Sequence, residues 1–505
     1  MKRKPPTHSA FLSLRCLTAL LVLLVGFALA LLVRADPRPG TPAHLKRSQT
    51  FPSTPSGTPQ QAWVAHYDGP GDYEDRVTGL TTDNSGNVYV TGFSWGSGTS
   101  RDYATIKYDS VGQEQWVARY NGPIGFGDDS AAAIAVDSSG NVYVTGESMN
   151  LKAELDYATI KYNSAGQEQW VARYSGPGNF DEATAIATDS SGNVYVTGSS
   201  EDPDFRDDIV TVKYNAAGQQ QWVARYNGPG NDEDEAIAIA VDGSGDVFVA
   251  GSGVGTTYPD YDYVTIKYSS TGQEEWVARY NGPGEGVDIV TSMAIDGSAN
   301  TYVTGASTGP NGDYDYATIK YDSNGQEQWV EHYDGPGNGD DSPSGIALDS
   351  SGNVYVTGAS AGANASSDYA TVKYSPAGLR QWIARYYNPE TNNDDFARAI
   401  AVDSSDNIYV TGTSWVLGGS DDYVTLKYNS AGDEQWIAHY NEVPAPFAKA
   451  IAVDSSGNVC VAGWGGFYPD YHYITLMYTQ GGTPTPTPTI TPRPRPTPHV
   501  RPMPP

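Results

Sequence analysis

From residue 61 to residue 480 the apolar residues fall in short runs, broken every few positions by Gly, Asn, Asp and Ser. One stretch shows the pattern. Ala133-Ile-Ala-Val136 is a run of small and branched residues, and Ser138-Ser-Gly-Asn141 is a tight turn. Val142-Tyr-Val-Thr145 is β-rich. After a variable loop, Asp156 to Tyr162 alternates between apolar and polar; Asn163-Ser-Ala-Gly166 makes a second turn, and Trp170 to Tyr174 a fourth β-prone segment. Runs of this length between such turns read as strands joined by hairpins. The unit is therefore predicted to be a four-stranded antiparallel sheet.

The pattern returns. Asp137-Ser-Ser-Gly-Asn-Val-Tyr-Val-Thr-Gly146 has counterparts beginning at Asp83, Asp189, Asp242, Asp296, Asp349, Asp403 and Asp454, at steps of 51 to 54 residues. A fixed period of this size decides the architecture. Eight copies of a sheet too small to stand alone predict an all-β, eight-bladed β-propeller over residues 61–480. A β-solenoid is the competitor, but its coils are shorter and lack two hairpin turns per unit. The ends support a ring. The chain opens with a lone outer strand, Trp63 to Tyr67, and stops at Tyr478 after a third strand. The first strand is expected to complete the last blade, so that no blade is left one strand short.

The run Asp-Ser-Ser-Gly-Asn-Val-Tyr-Val-Thr-Gly, followed by Asp-Tyr-Ala-Thr-Ile-Lys-Tyr, resembles the bacterial SBBP β-propeller repeats and, more loosely, NHL repeats. The resemblance implies an extracytoplasmic propeller with no particular chemistry. The family's name implies seven blades, whereas eight are counted here. The Gly-x-x-x-Trp spacing at Trp116, Trp170, Trp222, Trp276, Trp329, Trp382 and Trp436 is similar to the tryptophan-docking motif of eight-bladed quinoprotein dehydrogenases and their non-enzymatic relatives. Independently of any family, a Trp opening each outer strand is expected to wedge against the neighbouring blade.

Flanking composition adds compartment. Lys2, Arg3 and Lys4 precede an apolar run, Leu17 to Val33, so residues 1–35 read as a signal peptide or a retained N-terminal membrane anchor. Either places the rest outside the membrane, secreted or at the cell surface. Residues 36–60 read as a flexible linker; residues 481–505, ten of them Pro, read as an extended tail. Cys16 and Cys460 are the only cysteines, which excludes an internal disulfide framework in the mature chain. A net charge of −29 excludes nucleic acid as a partner.

A residue type present in every blade builds blades; a site should break the pattern. The variable loops, outer-to-inner and second-to-third, share one face, which is the expected binding face. Trp95, Trp415 and Trp464 lie outside the recurring Trp series and are read into second-to-third loops of blades one, seven and eight, neighbours in a closed ring. Phe467, Tyr468 and Tyr471 add to blade eight, and Tyr258 and Tyr261 to blade four. Such aromatics suit sugar rings or a peptide, with loop packing as the alternative. Asp75, Asp129, Asp181, Asp234, Asp288, Asp341 and Asp395 sit eight residues before the repeat Asp. As a ring they would suit Ca²⁺ or a cationic group; as local loop residues they would only accept backbone N–H bonds, the reading their recurrence favours. The Arg or His three residues after each outer Trp reads as a charge that blunts edge pairing. Gly92-Phe-Ser-Trp-Gly96 fits a nucleophile pattern only formally, because no helix follows. His472 is the off-pattern histidine.

The expected function is a non-catalytic binding or scaffold protein, monomeric and without a cofactor, taking a glycan, peptide or cell-envelope protein on the variable face. The alternative is a channel-mouth enzyme, quinoprotein-like, hydrolase or lyase.

Overall fold

The computed structural model describes residues 59–480, except 72, 257–259, 285, 390, 392 and 417–419. The expected leader, most of the linker, the Pro-rich tail and Tyr258 lie outside the described residues.

Eight four-stranded antiparallel sheets make up the fold. In blade one the inner strand is Asp75–Thr82, followed by Val88–Trp95, Arg101–Tyr108 and the outer strand Glu114–Tyr120. Blades two to seven repeat this order. Blade eight takes its inner three strands from Phe447–Val453, Val459–Phe467 and Asp470–Thr479, and its outer strand from Gln60–Tyr67 at the other end of the array. Trp63 pairs with Met477 and Tyr67 with Tyr473 across that seam. Each inner strand touches the next, and that of blade eight touches that of blade one, so the ring closes.

The conserved spacing of the turns has a physical cause in each copy. In the Asp137 turn, Oδ1 accepts the N–H groups of Ser139 and Asn141, and Oδ2 accepts Asn141 Nδ2 and Tyr143 O–H. Burial alone would raise this carboxyl; the four bonds outweigh it and hold the pKa below the usual value. Gly140 supplies the φ of +75° that the turn requires. Between blades, the Trp116 ring lies against Gly166 of the next blade, where an added Cβ would stand 2.6 Å from the indole, and Nε1 donates to Ser164 O at 3.2 Å.

The outer-strand arginines do not guard an edge, and that expectation is corrected. Arg173 turns inward: its guanidinium donates to Asp156 Oδ2 (3.2 Å), Ser148 Oγ (2.8 Å), Ser148 O (2.6 Å) and the O–H of Tyr120 in the preceding blade (3.0 Å). Arg119, Arg225 and Arg385 make the same set, and Arg279, with Gly253 in the serine's place, makes it without the Oγ bond. The reason is electrostatic: Asp156 is buried on the third strand, and folding inward lets the guanidinium neutralise it.

Three blades depart from this clamp. In blade seven His439 keeps only the aspartate, at 3.3 Å from Asp422. In blade five His332 keeps only the tyrosine, at 2.9 Å from Tyr280 O–H, and Asp315 has no guanidinium. In blade eight His66 Nδ1 lies 3.0 Å from Nε2 of His472, which stands where other blades carry the aspartate.

Candidate binding site at the channel mouth of blades seven, eight and one

Every inner strand carries a β-bulge, three residues after its first position in blades one to seven and two after Phe447 in blade eight. A bulge re-aims the extra side chain. In blades one, three and six that residue is Thr78, Thr184 or Ser344, whose hydroxyl donates to a carbonyl of the next blade's inner strand at 2.7–3.0 Å. In blades seven and eight it is Arg398 and Lys449. These two cations have no carboxylate within ion-pair distance among the described residues, in a chain whose net charge is −29. Arg398 Nε is buried and unpartnered. Burial depresses the pKa of both groups, and the charge of Arg398 depresses Lys449 further.

Aromatic rings hold Arg398. The Arg398 guanidinium lies 5.1 Å from the Phe396 ring and 4.8 Å from that of Phe447. Phe447 stacks on Trp464 at 4.4 Å and 20°, an arrangement worth about 0.5–1.5 kcal/mol beyond burial. On the far side Arg76 lies 5.6 Å over Trp464 and 5.9 Å over Tyr471. Glu74 takes Arg76 at 2.7 Å and Arg101 at 3.5 Å, and Arg101 lies over Phe93 at 4.8 Å. A series of rings and charged groups thus runs from blade seven through eight to one, linked by cation–π contacts, one ring stack and the Glu74 ion pairs.

The opposite side of the channel is acidic. In an eight-membered ring blades three and four face blades seven and eight. Glu182 and Glu235 occupy the second inner-strand position there, with Glu147 beside them in blade two. Glu182 and Glu235 are open to water yet surrounded by protein, as channel-lining groups are. Burial raises Glu147 and Glu182, with mutual repulsion adding at Glu147; burial, then Asp207 and Glu182, push Glu235 up to about 7. Acids raised on one side and bases lowered on the other mean that the two arcs do not neutralise each other.

The structure brings some of the expected aromatics together and not others. Trp464 and Tyr471 join the series through Arg76. Tyr468, 82% exposed, lies edge-on to Tyr471 at 6.4 Å, and Phe467 is 76% exposed. Trp95 packs on Tyr73 at 4.9 Å instead. Trp415 is 44% exposed and makes no ring contact with the others among the described residues. All three tryptophans lie within or at the end of second strands, not in the loops beyond them. Tyr261 lies apart in blade four, its O–H donating to Glu233.

The seven aspartates stay separate from one another. Asp75, Asp129, Asp181, Asp234, Asp288, Asp341 and Asp395 are fully buried. Each accepts the backbone N–H of its own loop, that of Gly69, Gly122, Gly176, Gly228, Gly282, Gly335 or Asn388, at 2.5–2.7 Å. Among the described residues Asp341 joins Asp315 and Asp334 in a group of three carboxylates, with oxygens within 4.8 Å of one another. Ser94, the serine of the formal nucleophile pattern, is buried and accepts a bond from Arg119.

Sequence reasoning missed Arg398, Lys449, Arg76, Phe396 and Phe447. The rule used for the loops, that a site breaks the repeat, finds them when applied to the inner strands.

The SBBP β-propeller repeat matches at residues 69–98, 115–150, 169–206, 335–364 and 381–419. The regulatory protein FlaEY of Caulobacter vibrioides is 32% identical over 115 residues, 20% of this chain and 12% of that protein. An uncharacterised WD repeat-containing protein of Acanthamoeba polyphaga mimivirus is 22% identical over 523 residues, 76% of this chain and 35% of that protein. The chain thus spans about a third or less of the length of these curated relatives. Among solved structures, a puromycin hydrolase overlaps with a TM-score of 0.44 and 11% identity, over 78% of this chain and 59% of that one. The chain thus carries five matches to the SBBP β-propeller repeat within an array of eight four-stranded blades.

Proposed function

We propose that this propeller is a non-catalytic carbohydrate-binding protein of the cell exterior, receiving a saccharide on the aromatic face of blades seven, eight and one. One observation carries the reading: at the channel mouth blade eight places aromatic rings at both paired positions, Phe447 and Trp464, in direct stacking contact, with Tyr471 joined to them through Arg76 and Tyr468 edge-on to Tyr471. Flat apolar rings beside charged donors fit the C–H faces and hydroxyls of a sugar. Two further features favour binding over hydrolysis. The Ser94 hydroxyl is committed to Arg119, and His66 and His472 are bonded to each other. The outside location rests on the positive-then-apolar leader.

Glycan-array screening of the full chain against its Trp464→Ala variant tests this. The reading expects saccharide binding that the variant loses by at least tenfold while keeping its fold. Equal binding by the two proteins, or binding of peptides and no saccharide, overturns it.

A further inference from the structure

We infer that the channel mouth recognises an acidic saccharide, whose carboxylate or sulfate group sits on Arg398 and Lys449 while its ring lies against the Phe447–Trp464 stack. This rests on the carbohydrate reading above and names the ligand class.

The repeat provides its own controls. The bulge position of the inner strand holds Thr78, Ala132, Thr184, Ile237, Thr291 and Ser344 in blades one to six. Only the adjacent blades seven and eight, the second of which carries the Phe447–Trp464 stack, place cations there. Nothing structural requires them. The carbonyl that Thr or Ser satisfies elsewhere is not their partner, and no carboxylate neutralises them. Two like charges held side by side in a water-lined channel repel each other, and an anion between them removes that cost. Arg398 is pre-oriented by Phe396 and Phe447, and its buried Nε is left to donate. A planar guanidinium aimed this way suits carboxylate or sulfate oxygens.

The far wall supplies polarity. Blades three and four carry Glu182 and Glu235 at the inner-strand position that Phe396 and Phe447 hold in blades seven and eight, so acidic groups lie on one side of the channel and the cations on the other. An anionic ligand is drawn to blades seven and eight and repelled from blades three and four. The ligand's hydroxyl groups face the acidic arc, which accepts their protons in hydrogen bonds. Peptides rich in Lys or Arg are excluded by the same cations.

The test uses the full chain and its Arg398→Thr and Lys449→Thr variants, which install the residue that blades one, three and five already tolerate. Three sets of oligosaccharides are titrated by calorimetry: uronate-bearing, sulfate ester-bearing and neutral. The expected result is binding of one or both acidic sets, weakened at least tenfold by either variant and by added salt, with the better set identifying the anion. Equal affinity for neutral and acidic sets, or unchanged acidic binding by both folded variants, overturns the inference while leaving the carbohydrate reading intact. Binding of none of the three sets overturns both.

Discussion

His332→Arg in blade five should make the protein more stable, and the structure says by how much and at which pH. His332 reaches the O–H of Tyr280 at 2.9 Å, the bond that Arg385 makes to Tyr333 one blade later. The imidazole is too short to go further. Arg385 also donates to Asp368 at 2.9 Å and to Ser360 Oγ at 2.6 Å. Their counterparts in blade five are Asp315, 7% exposed, and Ser307, fully buried, and neither has a guanidinium. Burial, then Asp334, Asp313 and Asp341, push Asp315 up to about 7. An arginine at 332 would add two charge-assisted bonds, worth about 1.5–3 kcal/mol each. Ordering its side chain costs about 2 kcal/mol, which leaves a net gain of roughly 1–4 kcal/mol. For an array of this size that is about 1 °C in Tm per kcal/mol. Ionising Asp315 destabilises the folded chain, so the benefit should appear at pH 8 and shrink at pH 5, where the carboxyl is already protonated. Differential scanning calorimetry of wild type and variant at the two pH values gives the answer. An unchanged or lower Tm at pH 8, or an equal rise at both, refutes the clamp account.

The converse change, Arg173→Met, leaves Asp156 buried without its counter-charge and should cost about 3–5 kcal/mol; adding Asp156→Asn should recover part of this, and a simple sum of the two single effects in denaturant melts would contradict it. Overall stability should peak near pH 4–5 and fall towards pH 8. Burial, outweighing the hydrogen bonds that oppose it, raises Asp75, Asp181, Asp234, Asp341 and Asp395 from 3.8 to about 6, so between these values the folded chain holds more protons than the unfolded one and loses stability as pH rises. The turn aspartates Asp83, Asp137, Asp189, Asp296, Asp349 and Asp403 are lowered, and their contribution disappears only below about pH 4. A Tm that rises from pH 5 to pH 8 would contradict the assignment. Deleting residues 60–67 removes the buried Trp63 and bares the strand Asp470–Thr479; the Trp alone is worth about 3–5 kcal/mol, and the open edge should drive self-association visible by light scattering. A monomer with an unchanged Tm would show that the seam is dispensable.

Blade number, strand order and seam were legible in the sequence because each rests on local chemistry. A Gly with positive φ, an Asx turn and a run of β-branched residues declare themselves within ten residues. The inward turn of Arg173 was not legible. Charge on an outer strand looks like edge protection, and only the burial of Asp156 and the approach of Tyr120 from another blade reveal the clamp. Trp464 and Tyr471 stood out because they break a loop pattern. Arg398 and Lys449 break one too, but their aim depends on a bulge that no residue type announces. Trp95 and Trp415 stood out equally and went elsewhere, since a broken pattern says nothing about which way a ring turns.

Eight near-identical blades make location the most direct test of the whole account. Hydrogen–deuterium exchange of the full chain, with and without the tightest-binding oligosaccharide from the array, reads every blade in one experiment. Protection confined to the inner strands and second-to-third connections of blades seven, eight and one is the predicted result. Protection in blades two to six, or spread evenly round the ring, would contradict it.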